Sequence, residues 1–151
     1  ELISIHWRLG DFVANGDSLA WESIEACLAE LPQNFKINIY TDSPNLAQNL
    51  VANSKYVPSI HFKSQDIWTD LFDMTRARYF VGSTSGISFL AALAVQEESA
   101  QSRVYLPDLW LKDHDLQLEY RSGVSAFRHA TFFPAVTIPS TYEARESPRG
   151  K

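Results

Sequence analysis

The sequence of 151 residues contains one cysteine, Cys27, and few of the residue patterns that metal or cofactor sites use. A single cysteine excludes an internal disulfide and a cysteine-metal cluster, and it fits a reducing compartment, so we expect a cytoplasmic location. A glycine-rich dinucleotide fingerprint, a phosphate-binding loop with a lysine and a histidine-glutamate zinc motif are all absent. Because His61, His114 and His129 are scattered along the chain, we expect neither a metal site nor a bound cofactor.

Positive charge is also scarce, since 13 Lys and Arg residues face 18 Asp and Glu residues and the net charge is -5. This balance argues against a nucleic-acid partner or an anionic membrane surface, because both require a basic field. No apolar run approaches the roughly 18 residues that a membrane-spanning helix needs, and the chain does not open like a signal peptide. A local cationic pocket for one phosphorylated ligand remains compatible with this composition.

Apolar strand patterns alternate with helical patterns along most of the chain. The first strand is predicted to begin at Leu2. Further strands are predicted at Lys36 to Thr41, Tyr56 to Phe62, Tyr79 to Val81 and Arg103 to Leu106, with a last short one between Phe127 and Phe133. Helices are predicted from Ser18 to about Leu31, Ser43 to about Asn53, Asp66 to Arg78, and Ile87 to about Gln96. This alternation indicates βαβ units. We therefore expect an α/β fold, a Rossmann-like three-layer α/β/α domain with a mostly parallel, doubly wound sheet of order 3-2-1-4-5.

Several local features are predicted with these elements. Residues 11–17 are expected to form a loop, and Ser18 and Ser43 are expected to cap the helices that follow them. Trp68, Leu71, Phe72 and Met74 are expected to be buried. Residues 1–137 are predicted to form one Rossmann-like domain and residues 138–151 a flexible tail. The chain begins almost directly on a strand, so we expect an upstream part to be missing.

The predicted strand order places two polar segments at one position. The predicted strand order reverses between the first and fourth strands, and ligands of open α/β sheets bind at such a switch point. Arg8 follows the first strand, and the segment from Ser83 to Gly86 joins the fourth strand to a helix. A fixed guanidinium and the N–H groups of a helix N-terminus both favour a phosphate.

Simpler interpretations of these residues remain open. Arg8 is also compatible with a surface arginine that pairs with Asp11 or Asp17, and His6 with a hydrogen-bonded core histidine. The segment from Ser83 to Gly86 is compatible with an ordinary helix cap. Asp70 and Asp73 are compatible with acidic residues that stabilise the dipole at a helix start.

Three segments together resemble the motifs of the α1,2-, α1,6- and protein O-fucosyltransferase superfamily. The first, His6-Trp7-Arg8-Leu9-Gly10-Asp11, is similar to the peptide His-x-Arg-x-Gly-Asp of that superfamily. The second, Tyr40-Thr41-Asp42, resembles a strand that ends in a Ser/Thr-Asp pair. The third runs from Asp70 to Gly86 and pairs a helical aspartate with a small-residue loop. The three motifs occur in the order of the family within roughly the first 95 residues.

This resemblance implies the C-terminal, nucleotide-sugar-binding half of a type B glycosyltransferase, with the acceptor-binding half absent or on a separate N-terminal domain. The implied reaction is inverting, metal-independent transfer from a GDP-sugar, most simply GDP-fucose, to a glycan hydroxyl. Arg8 would be the catalytic arginine that holds the diphosphate. The nucleotide-binding residues implied by the motifs are His6, Arg8, Thr41, Asp42, Asp70, Ser83, Thr84, Ser85 and Gly86.

The sequence departs from the family at Leu9, where many members carry a second arginine. It also departs around Ile87, where the third motif of the family often continues with aromatic residues. Two other functions therefore remain as alternatives. One is a non-catalytic nucleotide-binding or protein-interaction module derived from this fold, since a lone domain can bind a nucleotide without transferring a sugar. The other is a different enzyme that uses the switch point for another phosphorylated ligand.

Overall fold

One all-parallel sheet organises the protein in the computed structural model, which describes residues 2–109 and 130–141. Its strands in that part of the chain have the order β3-β2-β1-β4-β5-β6. Their bounds are Leu2–Trp7 for β1, Lys36–Thr41 for β2, Ile60–Lys63 for β3, Tyr79–Val81 for β4, Arg103–Pro107 for β5 and Thr131–Phe133 for β6. The predicted Rossmann-like α/β fold and the order 3-2-1-4-5 are confirmed, and β6 extends the sheet by one strand beside β5.

Helices connect the strands as crossover elements. Their bounds are Gly10–Ala14 for α1, Trp21–Ala29 for α2, Pro44–Leu50 for α3, Ile67–Met74 for α4 and Gly86–Glu98 for α5, with a 3-10 turn at Val57–Ser59 before β3. Parallel strands require such connections, because the chain must return to the end of the sheet at which the previous strand began before the next strand can start.

Two hydrophobic clusters cover the two faces of the sheet. On one face Ile3, Ile5 and Trp7 of β1 pack in a cluster that includes residues of α2 and α3. On the other face Phe80 of β4 packs in a cluster that includes Met74 and the small residues of α5. Successive strand side chains point to opposite faces, so burial on both sides explains why these strands are almost continuously apolar.

The connection between β1 and β2 differs from the prediction. Residues 11–17 contain the short helix α1 rather than only a loop, and the turn that follows includes Gly16 at φ +75°. Ser18 does not cap α2, which begins at Trp21 without a side-chain cap. The Ser18 hydroxyl is buried and instead donates to the carbonyl oxygen of Arg8 at 2.7 Å. This hydrogen bond therefore stabilises the backbone just after the carboxyl end of β1.

Ser43 occupies the N-cap position of α3, and Pro44 is the first helical residue, as the sequence predicts. The Ser43 side chain makes no cap hydrogen bond to that helix. Its hydroxyl oxygen accepts from the Gly10 N–H at 3.2 Å instead. A tertiary contact has thus replaced the local one.

Helix α4 is shorter than predicted and presents apolar side chains to solvent. Asp66 caps it by accepting from the Trp68 and Thr69 N–H groups. Met74 is buried, but Trp68 and Phe72 are 73% and 68% exposed, so their predicted burial is wrong. Residues four apart share one helix face, and in α4 the face that carries these two aromatic rings points away from the sheet.

The residues after β6 return to the start of α2. Ile138 is buried, its N–H donates to the Ser18 carbonyl oxygen at 2.8 Å, and Thr137 forms an antiparallel bridge with Leu19. Ile138, placed at the start of the predicted tail, therefore packs in the core. Residues 142–151 and residues 110–129 lie outside the described part of the chain.

Candidate functional site

The carboxyl ends of β1 and β4 lie side by side, because these two strands pair in parallel at the centre of the sheet. The strand order reverses there, so the switch point lies where the sequence predicts it. Two turns leave the strands at this edge. We call residues 8–12 the arginine turn and residues 82–88 the serine turn.

Arg8 in the arginine turn contacts two carboxylates and one ring. Its Nη2 lies 3.1 Å from Asp11 Oδ1, and its Nε lies 3.3 Å from Asp42 Oδ2. Its guanidinium carbon is 4.7 Å from the centre of the Phe12 ring, a cation–π distance. About one third of the side chain is exposed. Arg8 is thus oriented by neighbouring groups while part of its guanidinium remains open to solvent.

Asp42 holds the backbone of the arginine turn as well as its cation. Its Oδ1 accepts from the Leu9 N–H at 2.8 Å, while Oδ2 faces Arg8. Gly10 has φ +38°, and a Cβ added there would collide with Asp42 Oδ2. A glycine is therefore required at position 10 by both the backbone conformation and the close carboxylate. Thr41 is buried, and its hydroxyl oxygen accepts from the Ser43 N–H at 3.2 Å.

His6, on β1, contacts the serine turn through its Nδ1 atom. The hydroxyl oxygen of Ser88 lies 2.6 Å from Nδ1, and those of Ser85 and Ser83 lie at 3.3 and 3.4 Å. Burial lowers the pKa of His6 to about 4, and the nearby Arg8 cation contributes in the same direction. The imidazole is therefore neutral at pH 7. His6 therefore lines the site. The alternative interpretation, a hydrogen-bonded core histidine, holds for its Nδ1 atom.

The hydroxyls of the serine turn are used within the protein. Ser85 caps α5 by accepting from the Ser88 N–H at 3.2 Å, and Ser83 and Ser85 are almost fully buried. The Thr84 hydroxyl donates to the Asp17 carbonyl oxygen at 2.7 Å. Gly86 is exposed, with open space around its Cα. Since the Ser88 N–H is used by Ser85, the groups left for an anion are the N–H groups of Gly86 and Ile87, which have no acceptor within the helix.

Asp70 on α4 forms the opposite wall. Partial burial raises its pKa, and the nearby Asp73 carboxylate adds to this effect. With its amide nitrogen facing the carboxylates, Gln65 donates to Asp70 Oδ1 at 3.0 Å and to Asp73 Oδ2 at 3.3 Å. The site therefore has an acceptor group on α4, in addition to the donor groups on the arginine turn.

These walls enclose a cavity of about 170 Å³. Five of the residues predicted from the motifs line it, namely His6, Arg8, Thr41, Asp42 and Asp70. Ser83, Thr84, Ser85 and Gly86 do not line it, but Ile87 of the same turn does. Tyr40, Ser64, Gln65, Ile67 and Met74 complete the lining and were not predicted as site residues. Of these, Tyr40 lies in the second motif and Met74 in the third, so the motifs were the sequence signal that could have indicated them.

A larger cavity, of about 720 Å³, lies where strands β1, β2 and β4 begin. Lys36 and Leu2 line it from the strand starts, and Arg76 and Arg78 line it from the segment between α4 and β4. Tyr40 is the one residue that lines both cavities. None of the site residues predicted from the motifs lines the larger cavity. We therefore assign the candidate site to the smaller cavity, at the carboxyl ends of the strands, where open α/β sheets bind their ligands.

Within residues 2–109 and 130–141, no group of three or more His, Cys, Asp or Glu side chains is placed to hold a metal ion. Asp113, His114 and Asp115, whose side chain types can bind metals, lie outside those residues. Among the described helices, none is both long and apolar enough to cross a membrane.

The chain was compared with protein-family models, curated proteins and solved structures, and none of the three gives a match. The resemblance to the fucosyltransferase superfamily therefore rests on the three motifs and on the place where the fold brings them together.

Proposed function

We propose that the candidate site binds the nucleotide part of a GDP-sugar, and that the domain is the donor-binding half of a metal-independent, inverting glycosyltransferase of the fucosyltransferase type. The observation that carries the proposal is the convergence of His6, Arg8 and Asp70 on one cavity at the switch point. His6 and Arg8 belong to the first motif and Asp70 to the third, and Thr41 and Asp42 of the second motif line the same cavity. Their meeting in one cavity is required if the motifs serve one ligand.

Each wall supplies a group that suits part of a guanosine diphosphate. Arg8 and the first N–H groups of α5 are donors for diphosphate oxygens. Asp70 is an acceptor that suits the N1–H and 2-amino groups of guanine, which adenine does not present in that arrangement. The cavity is smaller than the roughly 300 Å³ at the lower end for ligand sites, so the sugar and part of the nucleotide would extend beyond it.

In the proposed reaction, the oxygen of a glycan hydroxyl forms a bond to the anomeric carbon of the donor sugar. The bond from that carbon to the β-phosphate oxygen breaks, and GDP leaves with the electron pair. The hydroxyl proton passes to a base that we do not assign. Arg8 would offset the charge that develops on the leaving diphosphate. A GDP-sugar, most simply GDP-fucose, as donor, a glycan as acceptor and a cytoplasmic location all belong to this proposal.

Calorimetric titration of the protein with GDP, ADP and UDP tests the proposal. We expect GDP alone to bind, and Arg8→Ala to weaken its binding by about 10- to 100-fold, as the loss of charge-assisted hydrogen bonds does. Arg76→Ala, which removes a cation from the larger cavity, is the matched control and should leave GDP binding unchanged. Equal binding of the three nucleotides, or equal effects of the two arginine variants, would contradict the proposal.

The second candidate function is a non-catalytic module that binds a protein partner. The exposed rings of Trp68 and Phe72, with Ile67 48% exposed beside them, favour this alternative, because large exposed apolar patches mark interaction sites. Absence of nucleotide binding, together with protein association that Trp68→Ser abolishes, would favour the module over the enzyme.

A further inference from the structure

Three serine hydroxyls converge on one nitrogen of His6, and their geometry determines which ring nitrogen carries the proton. Ser88 Oγ is the nearest, at 2.6 Å from Nδ1, and its side chain is fully buried. Ser83 Oγ lies 3.1 Å from Ser88 Oγ. The Ser83 N–H donates to Ser88 Oγ at 2.8 Å, so this oxygen already accepts one hydrogen bond.

The short distance indicates that the Ser88 hydroxyl is the donor to His6. Hydrogen bonds from an N–H to an oxygen are usually about 2.7–3.2 Å long, whereas those from an O–H to an oxygen are about 2.5–3.0 Å, so the shorter contacts favour a hydroxyl donor. A contact of 2.6 Å between Ser88 Oγ and Nδ1 therefore fits an O–H donor and a bare ring nitrogen. Nδ1 is then the acceptor nitrogen of a neutral imidazole.

The other ring nitrogen, Nε2, is left for the cavity. His6 lines the candidate cavity, and its three hydrogen-bond contacts in the described residues all involve Nδ1. Since burial holds the pKa of His6 at about 4, the ring is neutral at pH 7 and carries one N–H. That N–H lies on Nε2 when Nδ1 accepts from Ser88.

We propose that Ser88 is a positioning residue that fixes His6 in the Nε2–H tautomer, so that a neutral N–H donor faces the candidate cavity. The ligand atom that meets this donor is then a hydrogen-bond acceptor. In terms of the proposed function, on which this last step rests, the acceptor is an oxygen of GDP, either on the diphosphate or on the base. A neutral donor holds such an oxygen without adding a second cation beside Arg8.

Nitrogen NMR of the ligand-free protein tests the tautomer. Protein labelled with ¹⁵N-histidine should show a protonated Nε2 and an unprotonated Nδ1 for His6 at pH 7, and the spectrum of His6→Gln identifies the signals. A proton on Nδ1 in the wild-type protein would overturn the inference. The measurement needs no ligand, so it stands apart from the proposed function.

Variants of Ser88 test its role. Ser88→Ala should give a mixture of tautomers and weaken GDP binding by about 3- to 10-fold, the usual effect of losing one hydrogen bond. Ser88→Thr keeps the hydroxyl and should restore the wild-type tautomer. Ser85→Ala removes a hydroxyl that lies 3.3 Å from Nδ1 and should leave the tautomer unchanged. If Ser88→Ala does not fold, Ser88→Cys replaces the strong O–H donor by a weak S–H donor.

An unchanged tautomer in the alanine or cysteine variant would show that Ser88 does not set it. Addition of GDP, guanosine or inorganic pyrophosphate to the labelled protein then identifies the ligand atom. A shift of the Nε2 signal with pyrophosphate and GDP indicates a phosphate oxygen, and a shift with guanosine and GDP indicates the base. A protonated Nε2 that no nucleotide shifts would leave the tautomer inference standing and count against GDP binding.

Discussion

The arginine turn and the serine turn both lie at the carboxyl ends of the central strands, yet different interactions hold them. Arg8, Asp11 and Asp42 hold the arginine turn through charges, and the Arg8 side chain is about one third exposed. Ser83, Ser85 and Ser88 hold the serine turn through neutral hydroxyls that solvent hardly reaches. Exposed ion pairs add little to stability, whereas a buried polar network costs much when it is broken. The arginine turn is therefore suited to ligand binding, and the serine turn to rigidity.

The largest expected effect concerns the pH dependence of stability through His6. Its pKa is about 4 in the folded protein, against about 6.5 in the unfolded chain. The unfolded chain therefore binds a proton first as the pH falls. The resulting stability is fully present above pH 6.5 and is lost as the pH falls to 4, up to about 3 kcal/mol. Urea unfolding between pH 7 and 4 measures this loss.

His6→Gln should flatten this part of the pH profile, because it removes the buried titrating group. His61→Gln, which changes an exposed histidine on β3, controls for the removal of an imidazole in general. Equal pH profiles for the wild-type protein and His6→Gln would show that the folded protein does not disfavour the charged form of His6.

The next effect concerns one glycine of each turn, Gly10 and Gly86. Gly10→Ala should lower the free energy of unfolding by about 1–3 kcal/mol, because alanine at φ +38° is strained and its Cβ would displace Asp42. Gly86→Ala meets open space at the first residue of α5, so we expect no loss of stability and a gain of at most about 1 kcal/mol. Urea unfolding at pH 7 compares the two variants. A stable Gly10→Ala protein would mean that Asp42 does not fix the arginine turn.

The smallest expected effect on stability is that of Arg8→Ala. Both of its ion pairs are partly exposed, so removing them should change the free energy of unfolding by about 1 kcal/mol or less. Thermal unfolding of this variant, set beside its GDP affinity, separates binding from folding. A loss of more than about 2 kcal/mol would break the comparison, since the arginine turn would then be a structural element as much as a binding one.

The fold was predictable because its signals are local. The strands β1 and β2 are short and rich in β-branched residues, and one buried cluster contains Ile3, Ile5, Ile37 and Ile39. In the helices that connect the strands, apolar residues recur at the spacing that places them on one side. The rule that crossovers are right-handed then leaves few strand orders. For the same reason Arg8 and the serine turn were expected at one edge, and the pairing of β1 with β4 places them there.

The errors share one physical cause, which is competition from tertiary contacts. The side chains of Ser18 and Ser43 have the chemistry of helix caps, but they bond to the backbone of the β1 end and of the arginine turn. Trp68 and Phe72 have the composition of a core, but the packing of α4 leaves both side chains on its exposed face. Propensity describes what a residue can do locally, and it does not include partners that are distant in sequence.

By itself the sequence determined the parallel α/β architecture, the order of the first five strands and the switch point, because period, chirality and connection length act along the chain. Only the tertiary structure decided that His6 meets Ser88, that Asp42 fixes the arginine turn, and that α4 brings Asp70 to the same cavity. The first two of these contacts join residues 82 and 33 positions apart. Their distances depend on how helices pack on the sheet, which no local pattern encodes.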